Sequence, residues 1–250
     1  MGPDSYGAVV SLPSQLSRGG RAMAGAAVHR AWRFAADVGA VGPDDARGRR
    51  FAAMGPGSYI AFPPGPVFGE RFVRIGCATL IGPYVSLAVG MSPDEPLQVP
   101  GGIVVSIGDR CEIGRGSAIV ARCSVEIGDD VTTAPNVYIT DHNHSYQDLD
   151  VPIARQWPDA EPVRIGSGSW LGTGVVVLPG ADIGHHVAVA AGSVVRGAFP
   201  DHCVIAGTPA RVVRRHIPGR GWVPPLRRPV ENPMGWAPTP TPSSAAPAPI

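Results

Sequence analysis

From Ile75 onward, aliphatic residues return at every sixth position, a period that fits neither the 3.6-residue turn of an α-helix nor the two-residue alternation of an ordinary strand. Ile75, Ile81 and Leu87 form a first segment, and Ile107, Ile113, Ile119 and Val125 a second. Ile127, Thr133 and Ile139 form a third, and Ile165, Leu171, Val177, Ile183, Val189 and Val195 a fourth; Thr133 is the one weak member. A six-residue unit is a short strand plus a corner, so three units close a triangular coil whose inward positions stack an aliphatic ladder. Glycine follows many of the aliphatic residues, as in Ile75-Gly76, Ile107-Gly108, Ile165-Gly166 and Ile183-Gly184. It is expected at the corners, where the backbone takes dihedrals that a Cβ penalises. Cys111 and Cys123 read as small inward spacers.

The flanks lack this period. Residues 1–18 are expected to be disordered, and the Ala-rich run Arg21 to Val38 predicts one helix. Residues 19–74 are thus read as helix plus extended lead-in, with Tyr59 to Val67 as the extended part, and 75–216 as one all-β, parallel β-helix domain. Two stretches, Pro93 to Gly102 and His144 to Pro162, interrupt the period and must leave the stack as loops, which commonly line a binding face. Residues 217–250 read as a disordered, Pro-rich tail.

Composition narrows the chemistry. With 21 basic and 20 acidic residues the net charge is +1, so nothing in it argues for an electrostatic partner such as duplex DNA or an anionic membrane, and no nucleic acid is expected. Every basic residue is Arg, so Schiff-base lysine chemistry is excluded. The four cysteines form no CxxC pair and carry no zinc spacing with His, so no metal is expected. No stretch approaches eighteen apolar residues and no signal-peptide order is present, which predicts a cytoplasmic protein without membrane insertion.

The run from Ile165 to Val195, followed by Ala206-Gly207-Thr208-Pro209-Ala210-Arg211-Val212-Val213, resembles the C-terminal half of the hexapeptide-repeat acyltransferases, including the maltose and galactoside O-acetyltransferases. The stretch Ile127 to His142 is similar to the segment that ends in that family's catalytic histidine. The resemblance covers residues 75 to about 214. It implies a left-handed β-helix and a homotrimer with active sites between subunits. It further implies transfer of an acetyl or succinyl group from acyl-CoA, as co-substrate, to a hydroxyl of a sugar or polysaccharide.

A thioester is already activated, so its transfer to an alcohol mainly requires removal of the hydroxyl proton, a task matched to an imidazole. His142 is the candidate general base, because it aligns with the family position and falls where the third segment meets the long loop. His144, two residues on, is the competitor. In an extended segment it faces the same side, as base or as acceptor contact. The family likeness places Thr173 and Ala191 along the pantetheine arm, and Arg196, Gly197, Arg211 and Arg214 at the nucleotide end. Arginine suits that end because guanidinium binds phosphate oxygens in pairs. Where the family carries an acceptor-holding Asn before the histidine, this chain has Ile119-Val120-Ala121-Arg122. The loop residues Tyr146, Gln156 and Trp157, with His144, are the candidate acceptor contacts.

Three rival readings stand beside this one. A γ-class carbonic anhydrase shares the solenoid but needs three histidines on a metal, and the His-x-x-x-x-His spacing is absent. A non-catalytic scaffold predicts no CoA binding. An N-acetyltransferase on an amino sugar or amino acid differs in acceptor only. His29, His185, His186, His202 and His216 read as structural or solvated.

Overall fold

The structure, a computed structural model, describes residues 18–92, 97 and 102–225. The helix Arg18–Gly39 leads into a solenoid whose chain visits three sheets in turn, of seven, nine and six strands. Within the coils every pairing is parallel, and equivalent residues of successive coils lie side by side. In the first sheet this registers Met54, Ile75, Ile107, Ile127, Ile165, Ile183 and Phe199. In the third it registers Val67, Leu87, Ile119, Ile139, Val177 and Val195. These columns form one continuous buried cluster, so the sixfold period of the sequence is the core of the fold. Thr133 keeps its place in the second column: it is buried, and its hydroxyl accepts the Gly114 N–H at 2.8 Å.

The solenoid begins earlier than the period indicated. Ala53–Met54, Tyr59–Ile60 and Val67–Phe68 already pair with Val73–Ile75, Leu80–Ile81 and Ser86–Val89, so the expected lead-in is itself a coil. Pro63, Pro64 and Pro66 fill its second corner, between the second and third sheets, and obscure the spacing. At the other end, Ala210–Ile217 folds back antiparallel on Cys203–Gly207, and Gly221–Val223 adds a further antiparallel strand. Residues 217–223, expected in the tail, are therefore part of the second sheet. Of the expected disordered ends, Arg18 opens the helix, while 1–17 and 226–250 lie outside the described residues. Most of the Pro93 to Gly102 insertion does too.

The coils differ in length. Ile107 to Ile127, Ile113 to Thr133 and Ile119 to Ile139 each span 20 residues, whereas Ile165 to Ile183, Leu171 to Val189 and Val177 to Val195 each span 18. The two extra residues sit at the third corner, between the third and first sheets, where Arg122, Cys123 and Ser124 pass. Both insertions leave the stack at this same corner.

Glycine works differently from the expectation. Gly76, Gly108 and Gly166, directly behind the aliphatic residue, have ordinary φ but leave no room: a Cβ on Gly166 would lie 2.5 Å from Gly184 backbone of the next coil. The left-handed residue stands two places later, as Ala78, Arg110, Asp130, Asn136, His186, Gly168, Gly174 and Gly192. Close approach between coils, not dihedral freedom, selects the first set.

Candidate active site at the third corner

The strand Tyr138–Thr140 ends in a bend at Asp141, and His142–Asn143 then pairs antiparallel with Asp159–Ala160 to open and close the long insertion. The bend is decisive, because neighbouring residues on a straight strand point to opposite faces. Here both meet: His142 Nδ1 lies 2.8 Å from Asp141 Oδ1. Asp141 is fully buried, and its carboxylate also accepts the backbone N–H groups of Arg122, Cys123 and Ser124 at 2.7–3.0 Å. It thus fills the wide corner of the coil beneath.

Burial pushes the Asp141 carboxyl up, but the hydrogen bonds from His142 and from the Arg122 and Cys123 amides outweigh it and hold the group below its ordinary value. An ionised carboxylate only accepts, so Nδ1 carries a proton, and in the neutral imidazole Nε2 keeps the lone pair. That is the tautomer a general base requires. The His142 side chain is 11 % exposed, and its backbone is held by Thr140 Oγ1, which donates to the His142 carbonyl at 3.1 Å. His144 is exposed, with the carboxylate contact on His142 alone of the two.

The insertion is braced internally. Gln156 donates to the Asp148 and Val151 carbonyls and accepts the Asp148 N–H, so its amide is engaged within the loop. Ser145 Oγ donates to the Trp157 carbonyl at 2.6 Å. Trp157 and Tyr146 are both largely exposed. The Arg122 guanidinium carbon stacks 4.1 Å over the Trp157 ring, so a residue of the wide corner meets the insertion beside His142. Cys123, read as an inward spacer, instead lies half-buried in that corner, whereas Cys111 is buried in the stack, where desolvation pushes its thiol up to about 11.

The residues assigned to CoA divide between places. Arg196 and Gly197 follow Val194–Val195 at the third corner, the same edge as His142, and Arg196 pairs with Glu161 at 3.3 Å. Thr173 and Ala191 sit exposed at the second corner, between the second and third sheets, stacked by the Gly192 N–H donating to the Thr173 carbonyl. Arg211 and Arg214 lie on the antiparallel strand of the second sheet, and Arg214 borders an apolar groove with Trp170, Val204, Val213 and Trp222. Within one chain the width of the third sheet separates His142 from Thr173 and Ala191.

Two features escaped the sequence reading. Asp141 is one; its signal was the acid beside the histidine in Thr140-Asp141-His142. The other is a column of rings at the first corner: His186, His202, His216 and Trp222 follow one another with centroids 5.7, 6.4 and 5.6 Å apart. The folded-back terminal strands supply its last two members. Among the described residues no group of three or more His, Cys, Asp or Glu side chains is arranged to hold a metal ion.

Residues 162–197 match the bacterial transferase hexapeptide family (six repeats), and residues 104–141 match the hexapeptide repeat of succinyl-transferase. The coils within these two stretches are hexapeptide repeats. A probable acetyltransferase of Mycobacterium tuberculosis is 41 % identical over 107 residues, covering 43 % of this chain and 36 % of that protein. The putative lipopolysaccharide biosynthesis O-acetyl transferase WbbJ of Escherichia coli is 39 % identical over 120 residues, covering 45 % and 61 %. Galactoside O-acetyltransferase of the same organism is 34 % identical over 118 residues, covering 45 % and 57 %. The chain therefore spans between about a third and three fifths of the length of these relatives. Among solved structures, AntD, an N-acyltransferase from Bacillus cereus, superposes with a TM-score of 0.58 at 17 % identity, over 70 % of this chain and 88 % of that one, a likeness of fold.

Proposed function

We propose that this protein is a cytoplasmic acyltransferase that moves an acetyl or succinyl group from acyl-CoA to a hydroxyl of a sugar or polysaccharide, with His142 as general base. The observation that carries this reading is the Asp141–His142 pair, a buried ionised carboxylate fixing an imidazole at the mouth of the insertion. In the reaction, Nε2 takes the acceptor's hydroxyl proton as its oxygen attacks the thioester carbonyl. The tetrahedral intermediate then collapses, the C–S bond breaks, and the imidazolium returns the proton to the departing CoA thiolate. Asp141 balances the imidazolium charge while it lasts.

The separation of His142 from Thr173 and Ala191 supports a homotrimer in which one copy's third corner faces a neighbour's second corner, so that the pantetheine arm lies between subunits. Arg196, Gly197, Arg211 and Arg214 remain the residues proposed for the nucleotide end. His144, Tyr146 and Trp157 are proposed to face the acceptor, with Gln156 holding their loop in shape. The relatives named as acetyltransferases favour an acetyl donor and, in two of three, an oxygen acceptor.

The test is a mass-spectrometric screen of acetyl-CoA and succinyl-CoA against sugar and amino-sugar acceptors, with free-thiol release as the rate. Acceptor-dependent thiol release that persists at near wild-type rate in His142→Ala excludes this residue as the base. Product formed only on an amine converts the reading to an N-acyltransferase.

A further inference from the structure

The helix Arg18–Gly39 carries more exposed bulky apolar side chains than any other element: Met23, Val28, Phe34 and Val38 are 66–77 % exposed. At about 100° per residue, Met23, Ala24, Ala27, Val28, Ala31, Phe34 and Val38 fall within an arc of about 140°. The helix meets the solenoid along a different line, where Trp32 packs on Phe62 with ring centroids 6.1 Å apart and Gly39 lies against the same ring. The apolar arc therefore faces away from the protein's own core. Arg21 and Arg30 stand at its two borders, and Arg33 lies on the polar side with Asp37.

We propose that this helix lies in the surface of an anionic lipid bilayer, with the Met23, Phe34 and Val38 face in the acyl boundary and the bordering arginines at the lipid phosphates. Breadth and charge select this occupant. Arginines at both borders reach the headgroup layer with their stems still on apolar ground, the arrangement of interfacial amphipathic helices. A second copy of the helix laid on the same arc would instead bring the bordering arginines of both copies together. Among the described residues no helix is long and apolar enough to cross a membrane, so attachment through this helix is to one leaflet. The net charge of +1 conceals this local excess of Arg over acid. A bilayer-bound helix would carry the third-corner site to acceptors presented at the membrane surface.

Sedimentation of the full chain with vesicles tests it, using phosphatidylcholine alone and phosphatidylcholine mixed with phosphatidylglycerol. The protein should pellet with the mixed vesicles at low salt, stay in solution with the neutral ones, and be released by added salt. Phe34→Glu with Val38→Glu should lower the partition coefficient at least about tenfold at an unchanged melting temperature. Arg30→Gln alone should lower it about fivefold. Absence of pelleting with anionic vesicles, or equal pelleting by the double variant, overturns the proposal. So does a drop in assembly mass by light scattering in the double variant, which would assign the face to a second copy.

Discussion

The third corner of the 20-residue coil is built differently from that of the 18-residue coil, and only the first meets the Asp141–His142 pair. In the 18-residue coils the corner closes on itself: the Ala181 N–H donates to the Leu178 carbonyl in a three-residue turn, and the Gly180 N–H reaches Glu161. In the 20-residue coil the amides of Arg122, Cys123 and Ser124 converge on a single carboxylate from the coil above. A buried donor without a partner costs about 1–3 kcal/mol, so the wide corner demands an acceptor, and Asp141 supplies it. Asp141 faces inward as Ile139 does, and the bend at this residue turns His142 toward it as well. The wider coil thus brings an acid to the core and a histidine to the acid.

The largest effect that sharpens this comparison is on catalysis. His142→Ala should lower acceptor-dependent thiol release by about 10²–10⁴-fold, the usual contribution of a positioned general base. Its melting temperature should move little, since Asp141 retains three backbone donors. His144→Ala, at an exposed position, should change the rate by far less. Equal losses in the two variants would leave the wide corner without a catalytic distinction.

Next in size is stability. Asp141→Asn turns an amide N–H₂ or a neutral oxygen toward groups that now bond a carboxylate, and should cost about 3 kcal/mol at neutral pH by urea unfolding. The Asp141 pKa is depressed in the folded protein, so its contribution is present above the unfolded value of about 3.9 and is lost as pH falls through the folded one. The gap between wild type and variant should therefore be full at pH 7 and shrink on acidification below about pH 4. Glu161→Gln at the narrow corner, where the Arg196 pair is more than half exposed, should cost no more than about 1 kcal/mol. Similar costs at the two corners would break the comparison.

The same contrast explains what was legible in the sequence. The inward ladder from Ile75 to Val195 was readable because burial acts on every sixth side chain and leaves a period. The first coil was not, since Met54, Ile60 and Val67 are spaced six and seven apart with prolines between. The terminal hairpin pairs antiparallel and carries no period, so residues 217–223 resembled a tail. His142 was singled out through family likeness and its place beside an insertion. Asp141 shares the inward parity of Ile139, but an acid at an inward position does not read as core, and the Arg122, Cys123 and Ser124 amides that satisfy it lie on another coil. The hydrogen bonds of Gln156 to its own loop were not legible, because an amide in a sequence gives no sign of which backbone groups will engage it. Thr173 and Ala191 stand across a sheet from His142, a relation no spacing along one chain reveals.

The smallest effect concerns the Arg122–Trp157 stack, the one described ring contact between the wide corner and the insertion. A cation over an indole at a partly exposed site is worth about 0.5–1 kcal/mol, well below the scatter of single-mutant effects. A double-mutant cycle with Arg122→Gln and Trp157→Leu isolates it. The coupling should appear in KM for the acceptor, where loop position matters, as a factor of about two to five, and kcat should show little coupling because the Asp141–His142 geometry does not depend on the indole. Coupling in kcat of the same size would mean that the insertion sets the imidazole itself. Additive effects in both parameters would mean that corner and insertion touch without cooperating, and that the wide corner acts on the reaction through Asp141 alone.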